Sequence, residues 1–231
     1  MSSAAMSLMS PTLSTEAWQA RMAASGLHAL RDLATAHPFA LSVQRFVFLR
    51  HGETEGNVLK VFQPEEISLN EHGRAQAEAA ASLLREVGIE RICASDMQRA
   101  WETATIVAGR CDVPPQPDPA LRERWFGDWV GTSSANLDWR RDPPGGESLL
   151  EFVRRTQRVL EATLSDPAHT LVVAHGGNLY VLAFSLGLEV TQSMIQNATP
   201  LAFECIDGRW SVSHVGAETI REPLPARNAG W

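Results

Sequence analysis

His51 and His175 stand where a sheet would deliver them. His51 follows Arg45–Leu49 (RFVFL) and Arg50, and His175 follows Thr170–Ala174 (TLVVA). In an open α/β sheet, ligands gather beyond the carboxyl ends of the strands. A neutral imidazole placed there can act as a nucleophile or hold a proton. Each histidine is followed by glycine, Gly52 in one case and Gly176-Gly177 in the other, which lets backbone approach a ligand and leaves N–H groups free. Gly176-Gly177 also opens a helix, whose N-terminus favours anions. Beside the first histidine, Arg50 offers a planar fork suited to phosphate. Arg99 is a further candidate, although by spacing alone it is a solvated arginine on a helix face.

The elements that must position these residues alternate in type. Arg45–Leu49, Arg91–Ala94 and Thr170–Ala174 are short apolar strands. Helices are expected from Glu71 to Val87 with Gly88 as stop, from Ser95 or Asp96 to Ala108, from Ser148 to Leu164, and after Gly176-Gly177. Cys111–Ala120 holds four prolines and reads as loop or edge strand. Leu201–Ile206 and Trp210–Val215 flank Asp207-Gly208, a hairpin signal. The pattern predicts an α/β fold: a three-layer α/β/α sandwich around a mostly parallel sheet with an antiparallel edge strand.

Ahead of this lies an N-terminal extension, 1–40, with a disordered start and a helix capped by Ser14 or Thr15 that runs to about Ala36. Trp18, Met22, Leu30 and Leu33 give it an apolar face, expected to pack on its own domain; a lid or a homodimer contact is the alternative. The domain itself is expected over 41–222, followed by a tail at 223–231.

Composition narrows the chemistry. The 231 residues carry 20 basic and 27 acidic side chains, a net charge of −7 that disfavours nucleic acid and anionic membrane as partners. It leaves a small phosphate ester open, because the distant acidic surface is screened beyond a Debye length of about 8 Å at physiological salt. The single lysine, Lys60, follows Leu59 and not glycine, which excludes a P-loop and disfavours Schiff-base chemistry. Cys93, Cys111 and Cys205 form no CxxC pair, which fits a reducing, cytoplasmic setting and excludes a Cys-rich zinc site. No signal peptide or membrane span is evident in the sequence, and Tyr180–Leu188 is about half of the ~20 apolar residues a span requires.

Six motif blocks run along the chain: Arg50-His51-Gly52-Glu53-Thr54 with Asn57, Ser68–Ala77, Ser95–Ala100 with Thr103-Ala104, Leu121-Arg122-Glu123 with Gly127-Asp128-Trp129, Gly145–Ser148, and Val173–Gly177. In type and order they resemble the motifs of the histidine phosphatase, or phosphoglycerate-mutase-like, superfamily. The resemblance implies His51 as nucleophile, and Arg50, Arg99 and His175 as a clamp on the phosphoryl oxygens. It further implies Glu123 as proton donor and acceptor, and Asn57 as a neutral hydrogen-bond partner of the same group. Gly176, Thr54, Arg140 and Arg141 are candidate substrate contacts; Thr54 reads as loop-shaping first. No metal or other cofactor is implied.

Within that family the sequence favours a phosphatase over a mutase. Only Arg124–Pro144 separates the acid loop from the Gly-Glu-Ser segment, where mutases carry long insertions. Trp139-Arg140-Arg141 is nevertheless similar to the mutases' substrate-binding arginine pair. A non-catalytic phospho-ligand binder is a second alternative. A two-histidine, one-carboxylate metal site from His51, His175 and Glu123 is a third, opposed by the adjacent arginines. The expected partner is a small phosphorylated metabolite. His28, His37, His72, His169 and His214 are expected to be solvated, and Trp101, Trp125, Trp129, Trp139 and Trp210 to be core or pocket wall.

Overall fold

The computed structural model describes residues 13–216; the expected disordered start and the 223–231 tail lie outside the described residues. Six strands form one sheet in the order β3-β2-β4-β1-β5-β6. They are β1 Arg45–Arg50, β2 Arg91–Ala94, β3 Pro115–Pro117, β4 Thr170–Ala174, β5 Pro200–Ile206 and β6 Arg209–His214. The first four run parallel, whereas β5 is antiparallel to β1 and β6 to β5. The antiparallel edge is the hairpin expected around Asp207-Gly208. Its turn, Asp207-Gly208, has positive φ at both residues (50° and 75°), the geometry two-residue hairpins favour.

Alternation along the central strands makes three layers. Phe46 and Phe48 of β1 face one side, where α6 (Leu149–Thr163) and α7 (Gly176–Ser185) cover them with Leu160, Leu179 and Leu182. Val47 and Leu49 face the other, against Ala80, Ala81 and Leu84 of α4 (Glu71–Leu84) and Ala104 and Val107 of α5 (Gln98–Cys111). Two helix boundaries differ from expectation. α4 stops three residues before Val87. α5 begins only after Met97, because Ser95 accepts a hydrogen bond from the Met97 N–H and so belongs to the turn before it.

The N-terminal helix is also two helices, α1 Thr15–Ala24 and α2 Leu27–Thr35. Gly26, at φ +68°, breaks it, and a Cβ there would lie 2.5 Å from Asp138 Oδ1. Leu27, Leu30 and Ala34 pack on Phe152 and Val153 of α6, and on Tyr180 and Phe184 of α7. The apolar face of the extension is thus buried against its own domain.

The register of the two middle strands matters most for the site. Arg50 of β1 pairs with Ala174 of β4, so His51 and His175 emerge side by side at the same edge. Among the described residues, no helix is long and apolar enough to cross a membrane.

Candidate active site

His51 is buried at 3% exposure, and its backbone N–H donates to the Ala174 carbonyl at 3.0 Å. Its Nδ1 lies 2.7 Å from the Gly52 carbonyl, which fixes the proton on Nδ1 and leaves the Nε2 lone pair to react. Burial, together with the charges of Arg99 and Arg50, holds the imidazole well below its ordinary range. The ring is therefore neutral at physiological pH, the state a nucleophile requires.

Cationic and neutral donors surround that ring. The His175 ring centroid is 5.2 Å from that of His51. His175 Nε2 lies 2.8 Å from the Ser95 hydroxyl, and its Nδ1 is buried without a partner. Burial and Arg99 keep His175 neutral as well. Arg50 is anchored through Nη1 to the Ile195 carbonyl and Arg99 through Nη1 to the Pro64 carbonyl. Both keep a buried Nε with no partner. Burial pushes the Arg99 guanidinium down to about 10, so it remains charged at neutral pH. Two guanidinium groups of one sign, Arg99 buried and Arg50 half-buried, each with a buried spare N–H donor, make an anion site. Among the described residues, no group of three or more His, Cys, Asp or Glu side chains is placed to hold a metal ion.

Glu123 reaches this cluster from the loop after β3. Its Oε2 accepts the Gly177 N–H at 3.0 Å and its Oε1 the Arg124 N–H at 2.9 Å. Each oxygen keeps a second lone pair for a proton in transit. Gly177 is required by this contact, since a Cβ there would stand 2.1 Å from Glu123 Oε1. The loop itself is held by residues that sequence reasoning missed. Arg155 of α6 donates to the carbonyls of Ala120 (2.8 Å), Arg122 (2.9 Å) and Glu123 (3.4 Å), and pairs with Glu147 at 2.7 Å. Arg124, with a fully buried side chain, binds the Glu147 carbonyl and Asp142.

The other candidates divide. Asn57 is the N3 residue of a capping box on the one-turn helix α3 (Glu55–Val58). Its Oδ1 accepts from Thr54 N, Thr54 Oγ1 and Asn197 Nδ2, which leaves the NH2 group as what it can offer. Thr54 is fully buried, and its hydroxyl is spent on Asn57 and on Gln63 at 2.6 Å. It shapes the loop and positions Asn57; the structure does not bring it to the site as a substrate contact. Gly176 lies at the start of α7, where a Cβ would be 3.6 Å from Arg50 Nε.

Arg140 is placed elsewhere. Its guanidinium forms a two-pronged pair with Asp138 (2.8 and 2.9 Å) and packs against the Gly26 turn. It is engaged in clamping the N-terminal hairpin and does not join the cluster. Arg141 stacks over Trp129, 5.5 Å from the ring centroid, and lines a groove of about 250 Å³ with Phe62 and Asn136.

A further support is the segment before β5. The Ile195 carbonyl holds Arg50, Asn197 donates to the His51 carbonyl at 2.9 Å, and Ala198, at φ +45°, donates to the Arg50 carbonyl at 3.0 Å. These contacts cross some 150 positions of chain, and no local pattern marks them. Two expectations about other residues need correction. His169 is buried rather than solvated, because its segment leads directly into β4. Trp125 is exposed at 43%, with its indole N–H bound to the Gly145 carbonyl.

The family model of the histidine phosphatase superfamily (branch 1) matches residues 46–218. The chain is 34% identical over 170 residues to the glucosyl-3-phosphoglycerate phosphatase of Mycobacterium tuberculosis (strain CDC 1551 / Oshkosh), covering 63% of this chain and 76% of that one. It is 33% identical over 171 residues to the 2,3-bisphosphoglycerate-dependent phosphoglycerate mutase of Xanthobacter autotrophicus, covering 63% of this chain and 82% of the mutase. A solved structure of mycobacterial glucosyl-3-phosphoglycerate phosphatase in complex with VO3 superposes with a TM-score of 0.61 at 28% identity, over 74% of this chain and 97% of that one. With a family model matching residues 46–218, about three quarters of its length, the chain belongs to the histidine phosphatase superfamily.

Proposed function

We propose that the protein is a metal-independent phosphomonoester hydrolase that works through a phosphohistidine on His51. The observation that carries this reading is the neutral, Nδ1-tethered His51 beside two arginines that keep buried, spare donors. His51 Nε2 attacks phosphorus in line as the bond to the leaving oxygen breaks, and Glu123 gives that oxygen its proton. Water then attacks the phosphohistidine, Glu123 takes the water's proton, and the P–N bond breaks to return neutral His51. Arg50, Arg99 and His175 hold the equatorial oxygens, where charge gathers in the loose transition state. Asn57 adds a neutral donor to the same group.

The substrate in this reading is a small phosphorylated metabolite, handled in the cytoplasm, and the free state of Cys93, Cys111 and Cys205 agrees with such a compartment. Hydrolysis is favoured over phosphoryl retransfer by the short connection between Glu123 and Glu147. The engagement of Arg140 with Asp138 also favours it, since it removes one of the two arginines a mutase reading would use. Steady-state assays of 3-phosphoglycerate with a chelator present test the choice. Release of inorganic phosphate faster than isomerisation is the expected result; isomerisation outrunning release would assign a mutase.

A further inference from the structure

One residue close to this site has no role in the mechanism above. Tyr180, the only tyrosine of the chain, is buried at 9% exposure on α7. It stands three and four positions after Gly177 and Gly176, which places all three on one helix face. Helical side chains lean toward the N-terminus and cover the turn before their own Cα. For Tyr180 the two positions below it on that face, Gly177 and Gly176, carry no side chains, and they lie against Glu123 and Arg50. The phenol accordingly feels the charges of Arg50, Arg21 and Glu123, while burial pushes it up to about 12. It is a neutral donor at every working pH.

The hydroxyl is poorly satisfied. Its partner is the thioether of Met22 on α1, at 3.8 Å. A buried tyrosine hydroxyl ordinarily finds a better acceptor, and sulfur is a weak one. The ring is fixed all the same, edge-on to Trp139 with centroids 6.1 Å apart and stacked on Phe184 at 6.2 Å. Trp139 is in turn tied to the N-terminal hairpin, its N–H donating to the Ser25 carbonyl at 2.8 Å. A rigid, weakly held donor on the helix face whose glycines lie against Glu123 and Arg50 is placed to read what the leaving oxygen is attached to.

We propose that Tyr180 is a specificity-determining substrate contact, whose hydroxyl donates a hydrogen bond to an acceptor oxygen on the leaving-group side of the phosphomonoester. Met22 and Trp139 hold the ring and hydroxyl of Tyr180, so the N-terminal helices take part in substrate choice through them. The class of ester it favours carries a hydroxyl or carboxylate oxygen next to the ester carbon, as a polyol phosphate does. The proposal rests on the hydrolase reading above.

The test is Tyr180→Phe in the full chain, which keeps the ring and its contacts with Trp139 and Phe184. Two substrates are compared: the polyol phosphate that the wild type cleaves best, and phenyl phosphate, which has no acceptor beside the ester. The expected result is a KM raised about tenfold for the polyol phosphate, the worth of one hydrogen bond. For phenyl phosphate KM stays within about twofold, since no hydrogen bond is lost there, and kcat is retained for both. A loss of folded protein would lower kcat alike for both esters and leave KM where it was. Equal KM values in variant and wild type overturn the proposal, as does a wild type that cleaves no polyol phosphate. Failure of the hydrolase reading shows separately, as a wild type that forms no phosphoenzyme from phenyl phosphate.

Discussion

The backbone N–H of Gly177 donates to Oε2 of Glu123 across 3.0 Å. This bond ties the carboxylate from the loop after β3 to the helix that begins directly after His175. His51, His175 and Glu123, the proposed nucleophile, clamp and acid, therefore share one rigid frame: β1 and β4 set His51 and His175 side by side, and α7 holds Glu123. Proximity of this kind removes most of the entropy that the separate groups would have to lose in solution.

Glu123→Gln keeps the shape of the side chain and removes its ability to move a proton. We expect kcat to fall by about 10²–10⁴ for alkyl phosphates, the range typical of a lost general acid. The loss is smaller for p-nitrophenyl phosphate, whose leaving group departs without a proton. A plot of log kcat against leaving-group acidity checks this, and equal losses across the series would remove Glu123 from the role of acid.

Stability depends on pH through the two buried histidines. Burial and neighbouring arginines hold His51 and His175 well below their ordinary value, so the unfolded chain binds protons that the folded chain refuses. Their contribution is fully present above about pH 6.5 and is lost as pH falls from there toward the depressed folded values. Urea midpoints measured between pH 8 and pH 5 should decline toward acid, with a shallower decline in His51→Asn. A midpoint that stays level, or rises on acidification, contradicts the buried neutral state.

Arg140→Ala should change kcat/KM by no more than about twofold, since its guanidinium is spent on Asp138 at an exposed position. Kinetics on the preferred ester decide the matter. A tenfold loss, about 1.4 kcal/mol, would return Arg140 to the substrate site.

Much of the fold was legible because it is local. β2 and β4 match their expected spans to the residue, and the Gly145-Gly146 turn and Ser148 mark the start of α6, where Ser148 and Glu151 form a capping box. The histidines were legible as a pair because a strand followed by His-Gly occurs twice. Arg99 was not legible by spacing: only the resemblance singled it out, and its burial comes from packing beside Met97 and under the Pro64 carbonyl. The supports of the site were illegible for the same physical reason. Arg155, Asn197 and Tyr180 act on groups 32, 146 and 158 positions away, and no helical or strand period encodes such pairs. Gly26 was visible as a residue, but the helix period ran through it, and only its tight contact with Asp138 and Arg140 shows why the chain turns there.

The proposed hydrolysis stands or falls with a phosphohistidine on His51. Rapid quenching of wild-type protein with a ³²P-labelled phosphomonoester should trap phosphate that is labile in acid and stable in base, the signature of phosphohistidine, with peptide mapping placing it on His51. His51→Asn should trap none and lose turnover. Label absent from a wild type that is turning over, or label persisting in His51→Asn, would contradict the account.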